Sequence, residues 1–159
     1  IRQVWFSGVH SDVGGSYPEP TRGNYPQPTA GLSKIALEWM LLEAEAAGLL
    51  IDATRAAIML GQTKPLPYSF MPDFVAPDNT TDPHDSLHGL WWALELFPRK
   101  YRTAHGASWG LTLGRRRHIP PGSWIHESAV TRPNRPPLPD KFVTEPWRRY
   151  ARTAAAATT

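Results

Sequence analysis

The residues with the clearest chemical potential come early: His10, Ser11 and Asp12, followed by Gly14 and Gly15. An imidazole can act as a general base or a metal ligand, and a carboxylate two residues on can orient a partner or join it on a metal. The element in front of them, Val4-Trp5-Phe6, is short, apolar and free of polar alternation. That is the pattern of a strand buried on both faces of a parallel sheet. Gly8 loosens the chain before His10, and Gly14 and Gly15 permit positive φ or close backbone approach just after it. Sites in open α/β sheets form at the carboxyl ends of strands, where this reading puts His10. The plainer alternative is a turn histidine or a satisfied polar group.

The elements that must position these residues follow in order. Residues 18–31 are a proline- and glycine-rich loop, either the border of a substrate mouth or a surface connector. Residues 32–48 form the strongest helix, opened by Leu32 or Ser33 and stopped by Gly48. Ile35, Ala36, Trp39, Met40 and Leu42 make its apolar face, with Glu38, Glu43 and Glu45 elsewhere on the wheel. Asp52 reads as the N-cap of a short helix, Ala53 to Leu60, ended by Gly61. Residues 62–81 read as loop. Asp82-Pro83 opens a further helix through Phe97, with Leu87, Leu90, Trp91 and Leu94 at helical spacing. Residues 108–126 suggest a ribbon turning at Gly114 to Arg117, and residues 124–130 a short helix or strand end. Prolines 133, 136, 137 and 139 suggest an extended arm. Residues 141–159 read as a basic, disordered tail ending in an alanine run.

The stretch from Val4 to Tyr17, VWFSGVHSDVGGSY, resembles the V-W-F-x-G-x-H-S-D-V-G-G-x-Y signature of an uncharacterised α/β-hydrolase domain family that includes the type VI secretion phospholipase effectors. The segment Leu32 to Met40, LSKIALEWM, is similar to it as well, and Ile125 to Val130, IHESAV, resembles an I-H-x-S-V segment near the C-terminal end of the family. The similarity spans roughly residues 3–60 and 84–139. Ser16 departs from it where a third glycine is common. The resemblance implies the C-terminal part of an α/β-hydrolase, with core at 1–61, a helical and hairpin extension at 62–140, and the tail beyond. It implies that His10 is the histidine of a Ser-Asp-His triad, carried by a loop of Asp12, Gly14 and Gly15. In that family the serine and aspartate precede the histidine, so both are expected upstream of Ile1, and this chain alone is expected to be inactive. It also implies phospholipid or other acyl esters as substrates, contact with a membrane surface, no cofactor, and a cytoplasmic protein exported by a type VI system.

Other chemistries remain in view. Asp12 is close in sequence to His10, which favours a role in capping the turn or anchoring the loop over that of triad carboxylate. His10 and Asp12 with His84, His88 or His126 would make a 2-His-1-carboxylate metal site, but such sites sit in β-barrels and the predicted helices argue against one. His84 and His88 share a helix face without the glutamate of H-E-x-x-H, so a polar face is the default. Gly106-Ala107-Ser108-Trp109-Gly110 satisfies G-x-S-x-G literally. It lacks the apolar strand before and the helix after, and Ser108 follows the histidine in the chain. His126 reads as structural.

Composition narrows the rest. The chain has 159 residues, no cysteine and 17 prolines, which excludes a disulfide scaffold and a thiolate zinc site. No run of about 18 apolar residues is present, and no signal peptide. Residues 1–96 carry a net charge of −6 and residues 97–159 a net charge of +9. The basic half suits an acidic part of the same protein, or an anionic lipid surface, so a docking module with a basic face is the non-catalytic alternative. No nucleic acid is expected.

Overall fold

The computed structural model describes residues 2–16, 31–65, 73–84, 96–103, 106–111, 113 and 117–151. Its core is a three-stranded parallel sheet in the order β1 (Val4–Trp5), β4 (Ser123–His126) and β5 (Phe142–Glu145). Val4 pairs with Trp124 and Trp5 with Ile125, while Ser123 through His126 pair with Phe142 through Glu145. The apolar Val4-Trp5 sequence is therefore a strand of a parallel sheet, though not one buried on both faces: it lies at the edge of the described sheet and both residues are half-buried. Ile125 lies at its centre, 1% exposed.

After β1 come the short helix α1 (His10–Gly14), the long helix α2 (Gly31–Ala46) and α3 (Ala53–Met59). Helix α2 stops where the sequence supplies glycine: Gly48 has φ +91°, and the N–H groups of Gly48 and Leu49 return to Glu45 O and Ala44 O. A left-handed residue there satisfies carbonyls that the helix end would otherwise orphan. Asp52 caps α3 by accepting from Thr54 N at 3.0 Å and Arg55 N at 3.1 Å. Ala56 and Leu60 are buried with Tyr150, and Leu37, Leu41, Leu42 and Ile51 pack around them. A fully buried leucine such as Leu60 contributes about 1.5–3 kcal/mol by leaving water.

Three expectations are corrected here. The antiparallel ribbon is β2 (Arg99–Thr103) against β3 (Gly106–Gly110), ending where the sequence suggested it would begin. Main-chain pairing needs no apolar alternation, so the polar run at Lys100 to Thr103 is a strand all the same. Next, Met40 is 56% exposed and Glu38 is 0% exposed, the reverse of the helical wheel. The reason lies in the third correction: residues 142–150, expected to be disordered, complete the sheet as β5 and then cross α2.

That arm supplies Glu38 with its partners. Glu38 Oε2 accepts from Trp147 Nε1 at 2.9 Å, Oε1 accepts from Tyr150 N at 2.8 Å, and Arg149 Nε lies 3.6 Å away. Glu145, 2% exposed, accepts from Trp39 Nε1 at 3.1 Å and Arg2 Nη2 at 3.3 Å. Burying a carboxylate is costly unless donors replace its water; indole, amide and guanidinium donors do so around Glu38 and at Glu145 Oε1, whereas Glu145 Oε2 is buried without a hydrogen-bond partner among the described residues. The sheet thus joins strands from residues 1–61, 62–140 and 141–159.

β4 runs directly into α4 (Glu127–Thr131), capped by the side chain of His126. Ser128 offers its hydroxyl to His126 Nδ1 at 2.8 Å and its N–H at 3.3 Å. Phe6 stacks on the imidazole at 4.7 Å between centroids. Burial pushes the His126 pKa down to about 4, against the raising effect of Glu145 and Glu127 and with a small lowering effect of Arg148. The ring is therefore neutral near pH 7, with its proton on Nε2. The helix expected over 82–97 lies mostly outside the described residues, as do the alanine run and most of the loop at 18–31.

Candidate active site

The chain leaves β1 at Trp5 and reaches His10 through Phe6 to Val9, so His10 begins α1 at the carboxyl end of a parallel strand. The turn that brings it there requires glycine. Gly8 has φ +114°, and a Cβ on it would lie 2.4 Å from Asp12 Cβ and 2.9 Å from Asp12 Oδ2. Gly15 closes the other end of α1 at φ +76°, its N–H returning to Ser11 O at 3.0 Å. Gly14 stays helical, with open space where a Cβ would go.

Asp12 is the fixed point of this turn. It is 1% exposed. Its Oδ2 accepts from Val9 N at 2.9 Å and from His84 N at 3.1 Å, and its Oδ1 meets His84 Nδ1 at 2.6 Å. The carboxylate therefore ties the histidine turn to the segment 78–84. That segment is itself held to α4: Asn79 Nδ2 donates to Ser128 O at 3.2 Å, and Arg132 Nη2 donates to Thr81 O at 3.0 Å. At Asp78, burial raises the pKa, but hydrogen bonds from the Thr80 hydroxyl and N–H and from the Thr81 hydroxyl outweigh it, and the net shift is downward. Asp78 is thus a well-satisfied anion that shapes the segment.

His10 is exposed, unlike Asp12. Its Nε2 lies 3.1 Å from Arg117 Nη2. A guanidinium has donors only, so Nε2 is the acceptor and the proton of the neutral ring is on Nδ1. This is the tautomer in which an imidazole accepts a hydroxyl proton at Nε2 and donates Nδ1–H to an orienting group. Among the described residues, neither a serine hydroxyl nor a carboxylate pairs with His10.

The sequence candidates are only partly brought together. Asp12 supports the turn from below, while His10 points to Arg117. His84 joins Asp12, but His126 is 1% exposed and bound up with Ser128 and Phe6. Among the described residues no three His, Asp or Glu side chains form a metal-ligand cluster. His88 lies outside those residues. Ser108 sits within β3 opposite Tyr101, on an extended strand rather than a strand-to-helix turn. The sequence places Arg117 in a basic turn. Its position 107 residues from His10 left no local signal that the two would meet.

No curated protein and no solved structure matches the chain. Residues 1–43, which hold β1, His10, the Asp12 turn and most of α2, match the family described as T6SS, Phospholipase effector Tle1-like, catalytic domain.

Proposed function

We propose that the chain contributes the general-base histidine of a serine hydrolase that cleaves acyl esters, with phospholipids the favoured class. The observation that carries the reading is His10 itself. It is an exposed imidazole after a parallel strand, with Nε2 as acceptor, inside the stretch that matches a phospholipase catalytic domain. The parallel order β1-β4-β5 supports reading the sheet as the C-terminal side of an α/β-hydrolase core.

In this mechanism Nε2 of His10 takes the proton of a serine hydroxyl as it attacks the ester carbonyl. It then returns that proton to the leaving alcohol. The reading assigns the serine, and the carboxylate that would hold Nδ1–H, to parts of the protein outside residues 1–159. Asp12 does not touch the reacting atoms. It acts through the backbone, holding Val9 and the start of α1 so that His10 projects outward.

The test compares the complete product of the gene with its His10→Ala variant, on phosphatidylglycerol and on p-nitrophenyl butyrate. A general base contributes ~10²–10⁴ in rate, and triad members act as a unit, so the variant is expected to lose at least that factor on both esters. Hydrolysis surviving in His10→Ala at the wild-type rate rules out the assignment. Binding without hydrolysis by the wild type would favour the docking-module alternative.

A further inference from the structure

We infer that Arg117 binds the anionic phosphate that flanks the scissile ester, and so selects phospholipids over neutral esters. The inference rests on the hydrolase reading and deepens it. Neutral imidazole has one in-plane lone pair, on Nε2 in this tautomer, and the Arg117 N–H occupies it at 3.1 Å. A serine hydroxyl needs that same lone pair. The guanidinium must therefore leave Nε2 before any proton moves, and it needs a better acceptor close by.

Among the described residues no carboxylate lies in ion-pair distance of Arg117, and both Arg117 and His10 are exposed. In the sequence Arg117 closes the run Arg115-Arg116-Arg117, a dense block of positive charge. Such a block raises the local concentration of anions. In a glycerophospholipid the phosphate lies a few bonds from each acyl ester. An ester oxygen placed against His10 therefore puts phosphate oxygens within reach of a guanidinium that starts on that same ring. The planar fork of arginine matches phosphate in a bidentate manner, whereas a neutral glyceride offers it only carbonyls and hydroxyls. Moving from Nε2 to phosphate would free the base in the same step that seats the substrate.

The experiment measures kcat and KM of the complete gene product and its Arg117→Gln and Arg117→Lys variants. The substrates are phosphatidylglycerol and a diacylglycerol with the same acyl chains. The ratio of kcat/KM for the two lipids is expected to fall about 10- to 100-fold in Arg117→Gln, as for loss of a hydrogen bond to a charged group, with most of the change in KM. Arg117→Lys should restore part of it. An unchanged ratio in Arg117→Gln overturns the inference while leaving the hydrolase reading intact. A wild type inactive on both lipids and on p-nitrophenyl butyrate overturns both. Inorganic phosphate, added in a third arm, should compete with phosphatidylglycerol alone. If it inhibits diacylglycerol hydrolysis as strongly, and Arg117→Gln abolishes that inhibition, free phosphate rather than lipid phosphate is the ligand.

Discussion

Asp12 and His84 meet at 2.6 Å although 72 residues separate them in the chain. The contact is anchored on the buried side by Asp12, while His84 keeps about a quarter of its side chain in water. Removing the aspartate leaves three donors without their acceptor, but removing the imidazole leaves the carboxylate two backbone N–H groups. Asp12→Ala is therefore expected to lower stability by about 3 kcal/mol and His84→Ala by about 1 kcal/mol. Urea unfolding of the two variants checks the order. Equal losses would mean that the backbone bonds of Asp12 contribute little.

Gly8 is under a different constraint. A methyl group there meets Asp12 Cβ at 2.4 Å, in a backbone conformation of φ +114°. Both atoms belong to a short turn, so neither can move without moving His10. Gly8→Ala should cost at least ~2–3 kcal/mol and, on the proposed hydrolase function, lower turnover as well. Gly14→Ala, with nothing within 4 Å of its Cβ position, should leave stability unchanged or slightly improved. A thermal melt of the pair separates backbone need from mere glycine content.

Glu38 predicts how the arm is held. Glu38→Ala leaves Trp147 Nε1 and Tyr150 N without their acceptor, and should cost about 2–4 kcal/mol. The readouts are faster hydrogen exchange at residues 142–150 and a red shift of tryptophan emission. Glu38→Gln keeps an acceptor oxygen and should lose less.

His126 gives a pH dependence with a definite sign. Its folded pKa of about 4 lies below the ordinary 6.5, so the unfolded chain binds the extra proton between those values. Stability attributable to His126 is then fully present above pH 6.5 and is lost as pH falls toward 4, by about 3 kcal/mol in all. Denaturation midpoints at pH 7.0 and 4.5 should converge in His126→Gln relative to wild type, after allowance for the other groups.

Local signals in the sequence were strong enough to mark β1, the glycine-bounded α1 turn, the Gly48 stop of α2 and the Asp52 cap of α3. Each rests on two to four neighbouring residues whose conformational preferences agree. What escaped was set by partners far along the chain. Glu38 looks like a solvated helix residue until Trp147 and Tyr150 arrive, and Met40 looks apolar enough for a core that never covers it. The strand Phe142–Glu145 has one exposed polar residue, Thr144, between a valine and a buried glutamate, which is no pattern for a strand. It is ordered by pairing with β4 and by the Trp39 and Arg2 bonds to Glu145. At the site, the role of Asp12 as cap of the turn and anchor of the loop is legible from its place two residues after His10, and its bonds to Val9 N and His84 agree with it. Arg117 and His84 reach them only through tertiary structure.

The burial of Glu38 also sets an order of events during synthesis. Its covering residues, Trp147 and Tyr150, leave the ribosome more than a hundred residues after it does. Until then α2 carries an uncovered carboxylate, the sheet lacks its third strand, and the nascent chain exposes the apolar surface of Leu60 that Tyr150 will seal. Consolidation of this fold is accordingly a late, post-emergence event, and the nascent chain is most open to chaperones and proteases in that interval.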